Sequence, residues 1–127
     1  MRSLYFDKTT RTPKITLDPQ KNVFEIQGRS IPENSVAFYE PVMQWVEEYS
    51  KSPNQNTRMV VRLEYFNTSS SKCLVDLFRK LEGIHLDGHQ VELDWYYEEQ
   101  DEDMKESGED FKEMLKVPFH LLSVDSD

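Results

Sequence analysis

Apolar and polar side chains alternate along four stretches of the chain, with the period of two that is typical of a half-buried strand. The stretches are residues 14–17, 23–27, 59–66 and 89–97. In the third stretch, Leu63 and Tyr65 fall on one face, and Arg62 and Glu64 fall on the other. Because residues 18–22 are rich in turn-forming side chains, the first two strands are predicted to form a hairpin.

Three further stretches place apolar residues at the spacing of an amphipathic helix. Their apolar positions are Phe38, Val42, Trp45, Val46 and Tyr49; Leu74, Leu77, Phe78 and Leu81; and Met104, Phe111 and Leu115. Asn34 or Ser35 is the predicted cap of the first helix, and Pro41 predicts that this helix begins as a short turn and restarts or kinks there. The second helix is predicted to end near Gly83 or Gly88.

Each predicted strand has one apolar and one polar face, whereas a parallel sheet covered on both sides has nearly continuous apolar strands. The pattern therefore predicts an α/β fold of two layers, a mixed sheet of about four to five strands with helices packed mainly on one face. With right-handed crossovers, the strands that end at residues 27, 66 and 97 are expected to follow one another across the sheet. The strand at Ile15 is expected to lie antiparallel at or near one edge.

The end of the chain is less constrained by its pattern. Pro118 is predicted to end the third helix, and residues 119–122 either pack on the core or add an edge strand. A length of 127 residues fits a single domain, residues 1–127.

Charge and cysteine content exclude several classes of partner and compartment. Fifteen basic against twenty-four acidic residues give a net charge of -9, which repels nucleic acid and an anionic membrane surface alike. Cys73 is the only cysteine, so no internal disulfide can form. Asp7 and Lys8 interrupt the amino-terminal segment before an apolar signal core, and no stretch is long enough to span a bilayer. We expect a cytoplasmic protein that binds neither nucleic acid nor membrane.

The candidate site is the junction between the third alternating strand and the second helix, residues 67–71 (Asn-Thr-Ser-Ser-Ser). Such a junction exposes a hydroxyl beside backbone N–H groups that lack a partner within the helix, which suits a phosphate group. We interpret Thr68 as the functional residue. The alternative is that Asn67 or Thr68 only caps the helix, although one cap suffices and five residues of this kind are more than a cap requires.

Other residues with chemical potential give weaker signals. His85 and His89 have the spacing of metal ligands on a helix, but Asp87 and Gly88 break the helix between them, so we interpret them as loop histidines. Residues 98–110 hold eight acidic side chains against one basic. The cluster at their start lacks the spacing of a calcium-binding loop and is interpreted as the solvated start of the last helix; it consists of Glu98, Glu99, Asp101, Glu102 and Asp103. No metal and no cofactor are predicted.

Two short motifs and three supporting segments resemble the SiaC family of bacterial regulatory phosphoproteins over nearly the whole chain. The motifs are Asn-Thr-Ser-Ser at residues 67–70 and Pro-Glu-Asn-Ser at residues 32–35, and the segments are residues 45–47, 95–97 and 118–119. The family is similar in outline to anti-anti-sigma proteins of the STAS class, which also present a phosphorylatable hydroxyl where a strand meets a helix. The glycine that usually follows their Asp-Ser-Ser is missing here, which argues against control of a sigma factor.

The resemblance implies that Thr68 is the phosphoacceptor of a partner switch. It also implies three partners: a cognate protein kinase, a PP2C-type phosphatase, and a diguanylate cyclase that the unphosphorylated protein binds and activates. The docking surface is predicted to consist of Asn67, Thr68, Ser69 and Ser70. The leading hypothesis is thus a non-enzymatic switch protein.

Two other hypotheses stay open at this point. One is a small enzyme that uses the hydroxyl run Thr68–Ser71 as nucleophile or ligand cradle, and the other is an adaptor that is never phosphorylated. A pocket lined by histidine and carboxylate would favour the enzyme, whereas an exposed Thr68 outside any cleft would favour the switch.

Overall fold

Six strands form one mixed sheet in the computed structural model, which describes residues 1–125. They are β1 (Leu4–Phe6), β2 (Lys14–Asp18), β3 (Val23–Ser30), β4 (Asn56–Phe66), β5 (Gln90–Glu98) and β6 (Phe119–Val124). Their order across the sheet is their order in the sequence. β1, β2 and β3 pair antiparallel, and β3, β4, β5 and β6 pair parallel. The predicted hairpin and the predicted order of the three long strands are confirmed.

Three helices within these residues connect the parallel strands: α1 (Ser35–Tyr49), α2 (Thr68–Leu86) and α3 (Glu102–Met114). Apolar side chains of all three helices belong to the same buried cluster as alternate residues of the strands, so the helices cover one face of the sheet. The inward side chains of the central strands join the helices in one core; they include Phe24, Ile26, Met59, Val61, Leu93 and Trp95. The two-layer α/β fold is therefore confirmed, with six strands instead of four to five.

The two additional strands lie at the edges of the sheet. β1 is the edge strand and pairs with β2, so β2, which contains Ile15, is the second strand from this edge. Residues 119–122, for which the sequence left two possibilities, belong to the edge strand β6. Gly108 lets α3 approach this edge closely, since a Cβ there would lie 2.5 Å from Cδ1 of Trp95 and 2.6 Å from Cδ2 of Leu121.

α1 runs without interruption through Pro41, so the prediction that it restarts there is wrong. Asn34 caps it by accepting the N–H of Ala37 at 3.1 Å. A proline inside a helix costs about 3 kcal/mol, but burial of each large apolar side chain contributes about 1.5–3 kcal/mol. Tyr39 and Val42, on either side of the proline, are fully buried against the sheet. The core therefore holds the helix together across Pro41.

The pairing of β3 with β4 shifts by one residue after Leu63, which leaves Glu64 as an extra residue in β4. Such a bulge reverses the faces of the residues that follow it. Tyr65 is consequently 57% exposed, while Phe66 points back to the core with its ring centroid 6.0 Å from that of Trp95. The prediction that Tyr65 shares the face of Leu63 is wrong for this reason.

Glu82 ties α2 to the segment that precedes β6. Its largely buried carboxylate accepts the backbone N–H of Lys116 and, at 3.2 Å, a guanidinium N–H of Arg79. The Lys116 hydrogen bond, helped by Arg79, holds the pKa of Glu82 below its ordinary value of 4.5, although burial opposes the shift.

This carboxylate is expected to make stability depend on acid pH. Because the pKa is lower in the folded state, the stabilisation is fully present above about pH 4.5 and is lost as the pH falls through the folded pKa. Glu82→Gln should therefore lower the free energy of unfolding at pH 7 and flatten its decline below about pH 5. Urea unfolding across this range, with Glu113→Gln as an exposed control, measures both effects. Parallel declines for Glu82→Gln and the unmodified protein would contradict the assignment.

Candidate functional site

Asn67 connects the end of β4 to the start of α2. Its backbone is extended, with φ of -85° and ψ of 173°, and its side-chain Oδ1 accepts the N–H of Ser70 at 2.9 Å. The Ser69 hydroxyl donates to the same oxygen at 3.2 Å. Asn67 is therefore the cap, and Thr68 is the first residue of the helix. The capping role that the sequence left open between the two residues belongs to Asn67.

Thr68 is exposed at the amino end of α2, as predicted. In the described part of the chain its hydroxyl has no hydrogen-bond partner, whereas the hydroxyls of Ser69 and Ser70 are bonded. The first N–H groups of a helix have no acceptor within it, and the aligned peptide dipoles make this end positive. Thr68 thus presents a free hydroxyl at a position that favours an anion.

A network of hydroxyl groups lies directly beneath this position. Ser30, at the end of β3, donates to Ser70 at 2.8 Å and shares a 2.6 Å hydrogen bond with Tyr39. Ser35, at the start of α1, lies 2.7 Å from the Ser69 hydroxyl and 3.2 Å from that of Ser70. The Ser70 hydroxyl donates in turn to the carbonyl of Ser30 at 3.0 Å. The network therefore joins the ends of one strand and two helices.

The network is uncharged at neutral pH and largely buried. Ser30 and Ser70 are 0% exposed, and Ser35 is 3% exposed. Desolvation raises the pKa of Tyr39 to about 12, further above neutral pH than its ordinary value. Buried hydroxyls need partners because an unpaired buried polar group costs about 1–3 kcal/mol. Each of these groups has one, which fixes the two helix starts relative to each other.

The structure brings the two sequence motifs together, since Ser35 of the motif at residues 32–35 forms a hydrogen bond with Ser69 of the motif at residues 67–70. Of the four predicted docking residues, Thr68 and Ser69 are exposed and Asn67 is half-buried. Ser70 does not reach the surface and supports the other three from below.

The sequence interpretation missed Ser30, Ser35 and Tyr39 as parts of the site. Ser30 could have been found from the alternation of β3. It lies at a position that faces the core, where an apolar residue is expected, and is polar instead.

The histidines lie far from Thr68. His85 is in the last turn of α2, which places it about 25 Å along the helix from Thr68. The interpretation of His85 as a loop residue is wrong, because α2 continues to Leu86 and is broken only after it, at Asp87 and Gly88. His89 lies just before β5 and His120 is the second residue of β6. Both are at the end of the sheet where the parallel strands begin. Thr68 follows β4 at the opposite end, where the parallel strands finish.

The remaining candidates have structural explanations. Asp101 caps α3 by accepting the N–H of Met104 at 3.0 Å, so the acidic segment does start the last helix.

Within residues 1–125, no group of three or more His, Cys, Asp or Glu side chains is placed to hold a metal ion. Cys73 is buried, and burial raises the pKa of its thiol. None of the helices in this range is long and apolar enough to cross a membrane.

Thr68 is also not among the residues that line a groove on the open face of the sheet. That groove, of about 310 Å³, is lined by residues that include Arg62, Glu64, Tyr96 and Asp101. The Arg62 guanidinium stacks over the Tyr96 ring at 4.2 Å.

Comparison with known proteins gives consistent matches. A family model described as SiaC family regulatory phosphoprotein matches residues 6–124. An uncharacterized protein of Pseudomonas aeruginosa strain UCBPP-PA14 is 35% identical over 125 residues, which cover 98% of this chain and 99% of that protein. The structure of SiaC of Pseudomonas aeruginosa is similar with a TM-score of 0.89 at 33% identity, over 98% of this chain and 100% of that one. A crystal structure of the diguanylate cyclase SiaD in complex with its activator SiaC, from the same organism, matches with a TM-score of 0.88 at 35% identity, over 95% and 99% of the two chains.

Proposed function

The chain belongs to the SiaC family of regulatory phosphoproteins, and on this basis we propose that it is a non-enzymatic partner-switch protein, reversibly phosphorylated on Thr68. Its unphosphorylated form binds and activates an effector. The complex of SiaC with SiaD supports a diguanylate cyclase as that effector. A cognate protein kinase adds the phosphate, and a PP2C-type phosphatase removes it.

The observation that carries the proposal is the contrast between Thr68 and the two serines that follow it. The Thr68 hydroxyl is exposed and unbonded among the described residues, whereas the Ser69 hydroxyl is bonded and Ser70 is buried. A kinase reaches an exposed, unbonded hydroxyl without opening the fold. The positive helix end then stabilises the phosphate that it adds.

The geometry gives less support to an enzyme built on the hydroxyl run Thr68–Ser71. A nucleophilic hydroxyl requires a base within hydrogen-bond reach. The partners of Ser69 and Ser70 are other hydroxyls, backbone groups and the side chain of Asn67. None of these groups accepts a proton at neutral pH.

Mass spectrometry of the protein purified from its native host tests the modification. A fraction of the intact protein should carry one phosphate, and fragmentation should place it on Thr68. Thr68→Ala should lose the phosphate, and the matched variant Ser69→Ala should keep it. A phosphate on another residue, or its persistence in Thr68→Ala, would refute Thr68 as the switch.

Activation of the effector is tested separately with a purified diguanylate cyclase from the native host. The unphosphorylated protein should raise the rate of cyclic dinucleotide synthesis, and the protein alone should produce none. An unchanged cyclase rate, together with the absence of a complex, would refute this effector class.

A further inference from the structure

Two large apolar side chains that the core does not use belong to residues close to the switch residue. Val36, the second residue of α1, is 71% exposed, which is the highest value for a large apolar residue in the described chain. Tyr65, near the end of β4, is 57% exposed. Isolated surface apolar residues are common, but these two are both near the same residue, Thr68.

The fold does not require the side chain of either Val36 or Tyr65 to be apolar. α1 buries its other side, which carries Tyr39, Val42 and Val46, so a polar residue at position 36 would leave the core unchanged. Tyr65 faces outward because the extra residue Glu64 shifts the end of β4. A rigid helix start and a rigid strand end therefore hold both side chains in water.

Both residues fall within one interface of ordinary size centred on Thr68. The Ser35 and Ser69 hydroxyls are 2.7 Å apart, and these residues precede Val36 and follow Thr68 in the chain. Adjacent Cα atoms are about 3.8 Å apart, so the Cα atoms of Val36 and Thr68 are within about 15 Å. Three residues of extended chain put Tyr65 within about 11 Å of Thr68. A standard interface covers about 800 Å² per partner, which is a disc of about 16 Å radius.

We propose that Val36 and Tyr65 are the apolar anchors with which the unphosphorylated protein holds its effector. The inference rests on the proposed function and adds to it the residues that supply the affinity. The occupant is the effector and not the kinase or phosphatase, because those enzymes must release the protein after each turnover while the effector must stay bound. The effector then carries apolar surface that contacts Val36 and Tyr65, and a neutral hydrogen-bonding group that faces Thr68.

The test compares exposed apolar residues near the switch with exposed apolar residues elsewhere on the surface. Val36→Ser and Tyr65→Ser are the test variants, and Leu86→Ser and Met114→Ser are the controls, at wild-type exposures of 63% and 42%. Leu86 lies at the opposite end of α2, about 27 Å from Thr68. Since all four side chains lie outside the core, each variant should melt like the unmodified protein.

Calorimetry with the cyclase is expected to show about tenfold weaker binding for Tyr65→Ser and about fivefold for Val36→Ser. The double variant should lose about fiftyfold, which is the product of the two single losses. Both controls should bind within about twofold of the unmodified protein. Phosphorylation of Thr68 by the kinase should proceed at the unmodified rate in all four variants.

The outcomes separate this inference from the proposed function. Normal effector binding by Val36→Ser and Tyr65→Ser, with binding lost in Thr68→Asp, would overturn the anchors and leave the switch intact. Slower phosphorylation with normal effector binding would assign the two residues to the kinase and overturn the inference as well. Failure of the unmodified protein to bind the cyclase would overturn the proposed effector and the anchors together.

Discussion

Phosphorylation of Thr68 is expected to weaken the complex with the effector at least tenfold, while Thr68→Ala binds like the unmodified protein. The exposed hydroxyl of Thr68 can exchange water for a partner's hydrogen bond at little cost. A phosphate adds about -1.5 to -2 charges, and an interface tolerates a buried dianion poorly unless a cation faces it. A loss of ~2 kcal/mol already weakens binding more than tenfold.

A second interaction stabilises the free phosphorylated protein and so further weakens its binding to the effector. Lys72 is exposed on the same face of α2, four residues after Thr68. An anion four residues before a lysine on a helix forms a favourable pair, worth about 0.2–0.5 kcal/mol for ordinary side chains. Docking that buries the phosphate must also disturb this pair.

Calorimetry of the unmodified, phosphorylated, Thr68→Asp and Thr68→Ala proteins against the cyclase measures the effect. Thr68→Asp should weaken binding in the same direction as the phosphate, but less, because it adds one charge. Treatment with a phosphatase should restore the affinity of the phosphorylated form. Equal affinities for all four proteins would leave Thr68 as a surface residue of α2 with no switching role.

The pattern of polarity was sufficient to predict the layers and the strand order. One apolar face per strand required helices on one side, and right-handed crossovers then required sequence order. The pattern could not predict the bulge at Glu64, because a one-residue insertion in β4 exists only relative to its neighbour β3. It also missed β1, since three residues become a strand only through their pairing with β2.

The position of Thr68 at a helix start was predictable from local chemistry, but the support beneath it was not. Ser30, Ser35 and Ser70 come from three different elements, and their hydrogen bonds span 35 to 40 residues of sequence. Contacts of this separation depend on the tertiary fold. Burial of Ser70 likewise depends on α1, so the sequence placed it at the surface with Thr68.

The same substitution at Thr68 and at Ser70 is expected to have very different effects on stability. Thr68→Asp places a carboxylate in water at a helix start, where a negative charge contributes about 0.3–1 kcal/mol, so its Tm should stay within a few degrees. Ser70→Asp places the charge where the native side chain is 0% exposed. The Ser30 carbonyl, which accepts the hydrogen bond of the Ser70 hydroxyl, would face the carboxylate directly. We expect a loss of about 3 kcal/mol and a Tm lower by about 10 °C.

Thermal unfolding at pH 7 of both variants and of Ser70→Ala separates charge from the loss of a hydroxyl. Ser70→Ala removes hydrogen bonds without adding charge and should cost about 1 kcal/mol. Equal melting of Ser70→Asp and Thr68→Asp would show that the network tolerates a charge, and burial would then not explain the choice of phosphoacceptor. With the expected result, Thr68 is a position within residues 67–71 at which a negative charge can be added without unfolding the protein. Phosphorylation must then act through the surface that the protein presents and not by melting α2.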